Sequence, residues 1–188
     1  KIKAIVELTR NNDDDTLSRM PSWILVLMQA NVKKTGCVKL TEVWPNLEVF
    51  FHGGIKFDPY RSQYESLIPS EKMRYMETYN ASEGFFGIQN DPADSSMLLM
   101  LVYGTFYEFI PVNERDDQDD EAQAIPLEDV TTGQNYAMVI PTTGGLWRYR
   151  IGHTVPFPSL FPNKIVISGR TKPVLHSFGQ VLLVDHAT

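Results

Sequence analysis

Between Pro21 and Gly36 the chain reads PSWILVLMQANVKKTG, an apolar run closed by two lysines and a glycine. Proline suits a first helical turn, cations suit the negative end of the helix dipole, and glycine suits the position after the last turn. The spacing predicts a helix over this span. NLEVFFHGG then predicts a strand from Leu47 to Phe51, broken at His52-Gly53-Gly54. DPYRSQYESLI predicts a second helix with Asp58 as its cap and Pro59 in its first turn. MRYMETY predicts a strand that runs into the small polar cluster Asn80-Ala81-Ser82-Glu83-Gly84.

Downstream the pattern becomes β-like. MLLMLVYGTFYEFIPV and QNYAMVIPTTGGLWRYRIG each read as two short strands joined by a glycine turn, and NKIVISG as one more. The order helix, strand, helix, strand, then many strands predicts a mixed α/β fold with a β-rich, sheet or barrel-like second half. Residues 1–167 read as one large domain, and 168–188 as a linker with the start of something else. NNDDDT near the start and RDDQDDE in the middle read as solvated polar loops.

Composition narrows the function classes. A chain of 188 residues with 43% hydrophobic content can bury one sizeable core. A net charge of −6 and no basic stripe argue against nucleic acid as a partner. The apolar run Trp23 to Met28 is too short to span a bilayer. The single cysteine, Cys37, forms no internal disulfide, reads as structural, and is consistent with a reducing, cytoplasmic location.

Four stretches carry candidate chemistry. In YNASEG, Ser82 offers a hydroxyl and Glu83 a lone carboxylate at the carboxyl end of a strand, where ligands of α/β sheets tend to sit. Magnesium takes oxygen ligands and usually only one or two from protein, so Glu83 suits it; a capped turn is the plain alternative. Gly53 and Gly54 expose backbone that a flat ligand can approach, or simply form a turn, and His52 beside them reads as a packed histidine. In LWRYRIG, alternation predicts Arg148 and Arg150 on one strand face, holding an anion or simply solvated on an edge strand, with Trp147 and Tyr149 packing on the other. In SGRTK, Arg170 and Lys172 follow a strand end, suited to phosphate or ribose or to a plain linker. No phosphate-binding P-loop, dinucleotide fingerprint, nucleophile elbow or paired-cysteine metal site is present.

Taken in order, FFHGGIKFDPYRSQYESLIP, METYNASEGFFGIQ, LWRYRIG and SGRTK resemble the auxin-responsive acyl-acid amido synthetases, and most closely their bacterial branch. That family is part of the adenylate-forming superfamily of firefly luciferase and the acyl-CoA synthetases. The resemblance implies ATP-dependent activation of a small carboxylic acid as an acyl-adenylate, then amide formation with an amino acid. It implies ATP and Mg2+ as cofactors. Tyr79, Asn80, Ala81, Ser82 and Glu83 match the Tyr-Gly-x-Thr-Glu motif. Carried over, Tyr79 stacks on adenine, Ser82 meets the α-phosphate and Glu83 holds magnesium, making Ser82 and Glu83 the catalytic pair. Gly53 and Gly54 back the adenine. Tyr149, Arg150, Ile151 and Gly152 match Tyr-Arg-x-Gly-Asp, with His153 where the family has aspartate. Arg170 reaches the ribose and Lys172 falls at an interdomain hinge.

The resemblance also places a serine- and threonine-rich phosphate loop before Lys1 and a small carboxyl-terminal domain after Thr188. It describes an isolated part of the large domain, inactive by itself. The change at His153 motivates an alternative: a homologue without turnover that binds nucleotide weakly or acts as a scaffold.

Overall fold

The computed structural model describes residues 2–9, 12, 14–112 and 123–171, and the backbone of 174–177 and 180–183. It is a mixed α/β structure, as the residue pattern predicts. The chain divides into two compact units: residues 1–81 with 88–95, and residues 82–87 with 96–188. The YNASEG motif is therefore split, with Tyr79, Asn80 and Ala81 in the first unit and Ser82 and Glu83 in the second.

The first unit starts with helix α1 (Ile2–Thr9) and strand β1 (Thr16–Arg19). Helix α2 (Pro21–Thr35) follows, with proline in its first turn and Lys33 and Lys34 in its last. Gly36 closes α2 in the left-handed region, φ 73°, its N–H donating to the Val32 carbonyl. Strand β2 (Val49–His52) ends one residue later than the pattern suggests. In helix α3 (Asp58–Leu67), Asp58 lies in the first turn and the capping position is Phe57, which makes no side-chain cap. Strand β3 (Arg74–Ala81) pairs parallel with β2, as β1 does on its other edge.

Parallel strands are covered on their faces by the crossover helices. Here Phe50 at the centre of β2 is fully buried with Met28, Leu40, Trp44 and Tyr64. Phe50 and Tyr64 stack at 4.9 Å, and the Tyr64 hydroxyl donates to the Pro21 carbonyl at 2.7 Å. The Trp44 indole N–H donates to the Thr9 carbonyl at 2.9 Å, tying the end of α1 to this core.

Strands β4 (Gly84–Asp91) and β5 (Asp94–Leu99) come next. The rest of the second unit is almost entirely β. Strands β6 (Glu108–Pro111), β7 (Ile125–Pro126), β8 (Asn135–Ile140) and β9 (Tyr149–Pro156) precede β10 (Ser159–Leu160), β11 (Asn163–Ile165) and β12 (Gly169–Arg170). A five-stranded sheet runs in the order β12-β9-β8-β6-β7. Phe109, Tyr136 and Phe157 meet edge to face in its core, with centroids 5.0 to 6.1 Å apart. Strand β11 pairs with both β5 and β10.

Where the pattern suggests a linker, the backbone forms β13 (Val174–Ser177) and β14 (Gln180–Leu183), an antiparallel pair. Residues 115–121, read as an acidic loop, lie outside the described residues. Among those described, no helix is long and apolar enough to cross a membrane.

Candidate nucleotide site

In the first unit, β2 runs into His52-Gly53-Gly54. Gly53 is buried: a Cβ there would stand 2.3 Å from the Thr78 carbonyl of β3, a contact no side chain can make. Its glycine is thus demanded by strand packing, and its backbone is not the open surface expected. Gly54 is exposed, at φ 82°, over the Met20 side chain. The Thr78 hydroxyl donates to the His52 carbonyl at 3.2 Å and fixes this loop to β3.

His52 is packed, as its reading suggests. It is 5% exposed and stacks on Phe57 at 4.4 Å. Its Nδ1 is buried without a hydrogen-bond partner among the described residues. Burial, helped by the Arg61 cation, pulls its pKa from 6.5 down to about 4. Tyr79 is also buried, at 2% exposure, which weighs against an aromatic platform for a flat ligand. Asn80 is exposed at the end of β3 and Ala81 is half-buried.

In the second unit, Ser82 and Glu83 form the turn that leads into β4. Ser82 is exposed and Glu83 half-buried. The Tyr149 hydroxyl, at the start of β9, donates to the Glu83 carboxylate; this bond and the carboxylate's charge raise the tyrosine's pKa. His153 lies further along β9 and pairs in register with Arg170 of β12. Burial lowers the pKa of His153, the Arg170 cation lowers it further, and Glu83 acts the other way. At neutral pH this imidazole is uncharged and offers one acceptor nitrogen. Arg150 and Arg170 are exposed. The structure thus gathers Glu83, Tyr149, His153 and Arg170 into one electrostatic group, while Lys172 lies outside the described residues.

The alternation expected in LWRYRIG fails for a local reason. Strand β9 begins only at Tyr149, and Arg148 is left-handed at φ 54°. Trp147 therefore does not pack; it is 84% exposed. Arg148 does not await an anion either, because its Nε donates to Glu108 Oε2 at 3.1 Å. Nothing local in EFIP marks Glu108 as that partner, which comes from a strand pairing remote in sequence. Thr154 and Ser168 were likewise not singled out. Their hydroxyls lie 2.9 Å apart, and Ser168 donates to Asn135 Oδ1 at 2.8 Å, linking the chain before β12 to β8 and β9.

Glu83 is a single half-buried carboxylate in the electrostatic group, and Arg150 and Arg170 are exposed. No group of three or more His, Cys, Asp or Glu among the described residues is placed to hold a metal by itself. One carboxylate does not make a dedicated protein cage; it suits a cation that takes most of its ligands from elsewhere, as magnesium does.

The fold is shared with solved ligases of low sequence identity. An acyl acid amido synthetase, AtGH3.15, solved with 2,4-DB, superposes with a TM-score of 0.70 at 16% identity, covering 94% of this chain and 39% of its own. A 2-hydroxyisobutyryl-CoA ligase, solved with 2-HIB-AMP and CoA, gives 0.62 at 12% identity over 96% of this chain and 42% of its own.

Sequence comparison adds a narrower likeness. Residues 98–170 match the GH3 family central domain. Indole-3-acetic acid-amido synthetase GH3.4 of Arabidopsis thaliana is 33% identical over 121 residues, 60% of this chain and 20% of that protein. GH3.8 of Oryza sativa subsp. indica is 34% identical over 122 residues, 60% of this chain and 19% of that protein. These matches support the amido synthetase family, and the chain spans about a fifth of the length of these relatives.

Proposed function

We propose that this chain supplies part of the nucleotide site of an ATP-dependent acyl-acid amido synthetase. A carboxylate oxygen of the substrate acid attacks the α-phosphorus of ATP, the bond to the bridging oxygen breaks, and pyrophosphate leaves. The amine of an amino acid then attacks the acyl carbon, loses a proton, and expels AMP. The bacterial-type assignment rests on the sequence motifs alone.

The observation that carries this reading is the Glu83–Tyr149–His153–Arg170 group, built from the two motif stretches that resemble the family. Neither step needs a nucleophile or proton donor from the protein. Both need charge balanced at the phosphates and the ribose held in place. A magnesium ion held by Glu83 would neutralise phosphate charge. Tyr149 holds the Glu83 carboxylate in position through its hydroxyl. Arg170 and Ser82 supply donors for the ribose and the α-phosphate.

His153 favours a second reading, a homologue that binds nucleotide without turnover. A carboxylate accepts from both ribose hydroxyls, whereas neutral imidazole accepts one, and a lost charged hydrogen bond costs about 1–3 kcal/mol. Acid-dependent ATP–pyrophosphate exchange separates the two in the protein that carries this chain. Wild-type exchange is the expected result, raised about ten-fold or more by His153→Asp if the ribose bond is restored. Exchange by the His153→Asp variant alone would establish the second reading.

A further inference from the structure

Arg148 is the only non-glycine residue with positive φ among the described residues. An arginine gains nothing intrinsic from that conformation, since its Cβ crowds the backbone. The surrounding structure must hold it there. Upstream, the loop between β8 and β9 is closed on itself: Thr142 N–H donates to the Leu146 carbonyl at 2.9 Å, and Gly145 N–H to the Thr142 carbonyl at 3.1 Å. Downstream, Tyr149 enters β9 opposite Ile140. Arg148 is the joint between the closed loop and the strand.

Its side chain reaches past β8. Glu108 pairs with Val139, and Val139 with Arg150, so the Arg148–Glu108 contact staples β9 to β6 across the intervening strand. The Glu108 side chain is 21% exposed and that of Arg148 60%. An ion pair this open contributes little net stability. The residue that follows Arg148 is Tyr149, whose hydroxyl has Glu83 as its hydrogen-bond partner.

We infer that Arg148 and Glu108 are a positioning pair that aims Tyr149 at the Glu83 carboxylate. The functional consequence rests on the nucleotide-site reading above, whereas the geometric claim stands without it. The test places 3-fluorotyrosine at position 149 in the protein that carries this chain and records its 19F resonance. Glu83→Ala marks where the resonance lies when the partner side chain is lost. Arg148→Ala and the near-isosteric Glu108→Gln are each expected to move it most of the way to that position. The exchanged pair, Arg148→Glu with Glu108→Arg, is expected to restore it. A resonance unmoved in both single variants, with the fold intact by circular dichroism, would overturn the inference, as would movement that the exchanged pair fails to reverse. Pyrophosphate exchange is read in parallel. A moved resonance with unchanged exchange upholds the positioning pair and counts against the nucleotide-site reading.

Discussion

Glu83→Gln is expected to lower acid-dependent ATP–pyrophosphate exchange by about 10²–10³-fold, the range found when one group that stabilises transition-state charge is removed. Glutamine keeps the shape of the side chain and an oxygen able to accept from Tyr149. It removes the charge that would hold a magnesium ion at the phosphates. The loss corresponds to about 3–4 kcal/mol of transition-state stabilisation. Glu83 is half-buried in a turn and glutamine keeps its size, so thermal stability should stay close to wild type. Exchange within a few-fold of wild type would remove Glu83 from the site.

The second large effect is on stability. His52 stands near pKa 4 in the folded chain, against 6.5 as its ordinary value. The unfolded chain therefore takes up a proton near pH 6.5 that the folded chain refuses until about pH 4. Because the unfolded state binds more protons across this window, stability rises with pH there and is lost as pH falls. The slope is about 1.4 kcal/mol per pH unit, or about 3 kcal/mol across the whole window. The physical cause is an imidazole at 5% exposure, stacked on Phe57, whose Nδ1 would acquire a proton with no acceptor. Neighbouring charges modulate this. Arg61 adds to the effect and Asp58 opposes it. Glu77, paired in register with His52, is raised by its own burial and so contributes in the opposite direction. Urea unfolding from pH 7 to pH 4 isolates the histidine by comparison with His52→Phe, which suits the surrounding aromatic cluster. Wild type should lose about 2–3 kcal/mol more than the variant over that range. Parallel curves would show that His52 is protonated in the folded chain without cost.

Much of this architecture was legible where the signals are local. Pro21, Lys33, Lys34 and Gly36 bounded α2 because capping acts within a turn of the helix end. The small cluster Asn80 to Gly84 was legible as the break between two strands for the same reason. What escaped depended on distant partners. Helix α1 carries no acidic residue in its first turn and no basic residue in its last, and packs on α2. The alternation around Arg148 failed because one left-handed residue shifts the start of a strand, and only the partner Glu108 reveals why it is tolerated. Gly53 was singled out as open backbone, and the structure gives its glycine a packing reason instead. Its missing Cβ admits the Thr78 carbonyl, a fact that lives in the pairing of β2 with β3.

The central claim, that this chain serves a reaction passing through an acyl-adenylate, is tested most directly by isotope transfer. In that reaction one carboxylate oxygen becomes the bridge to the α-phosphorus and leaves with AMP when the amine attacks. A substrate acid labelled with 18O in its carboxylate, incubated with ATP, magnesium and an amino acid and the protein that carries this chain, should yield AMP bearing one 18O atom and an equal amount of amide. Label recovered in inorganic phosphate, with ADP as the nucleotide product, would contradict the account.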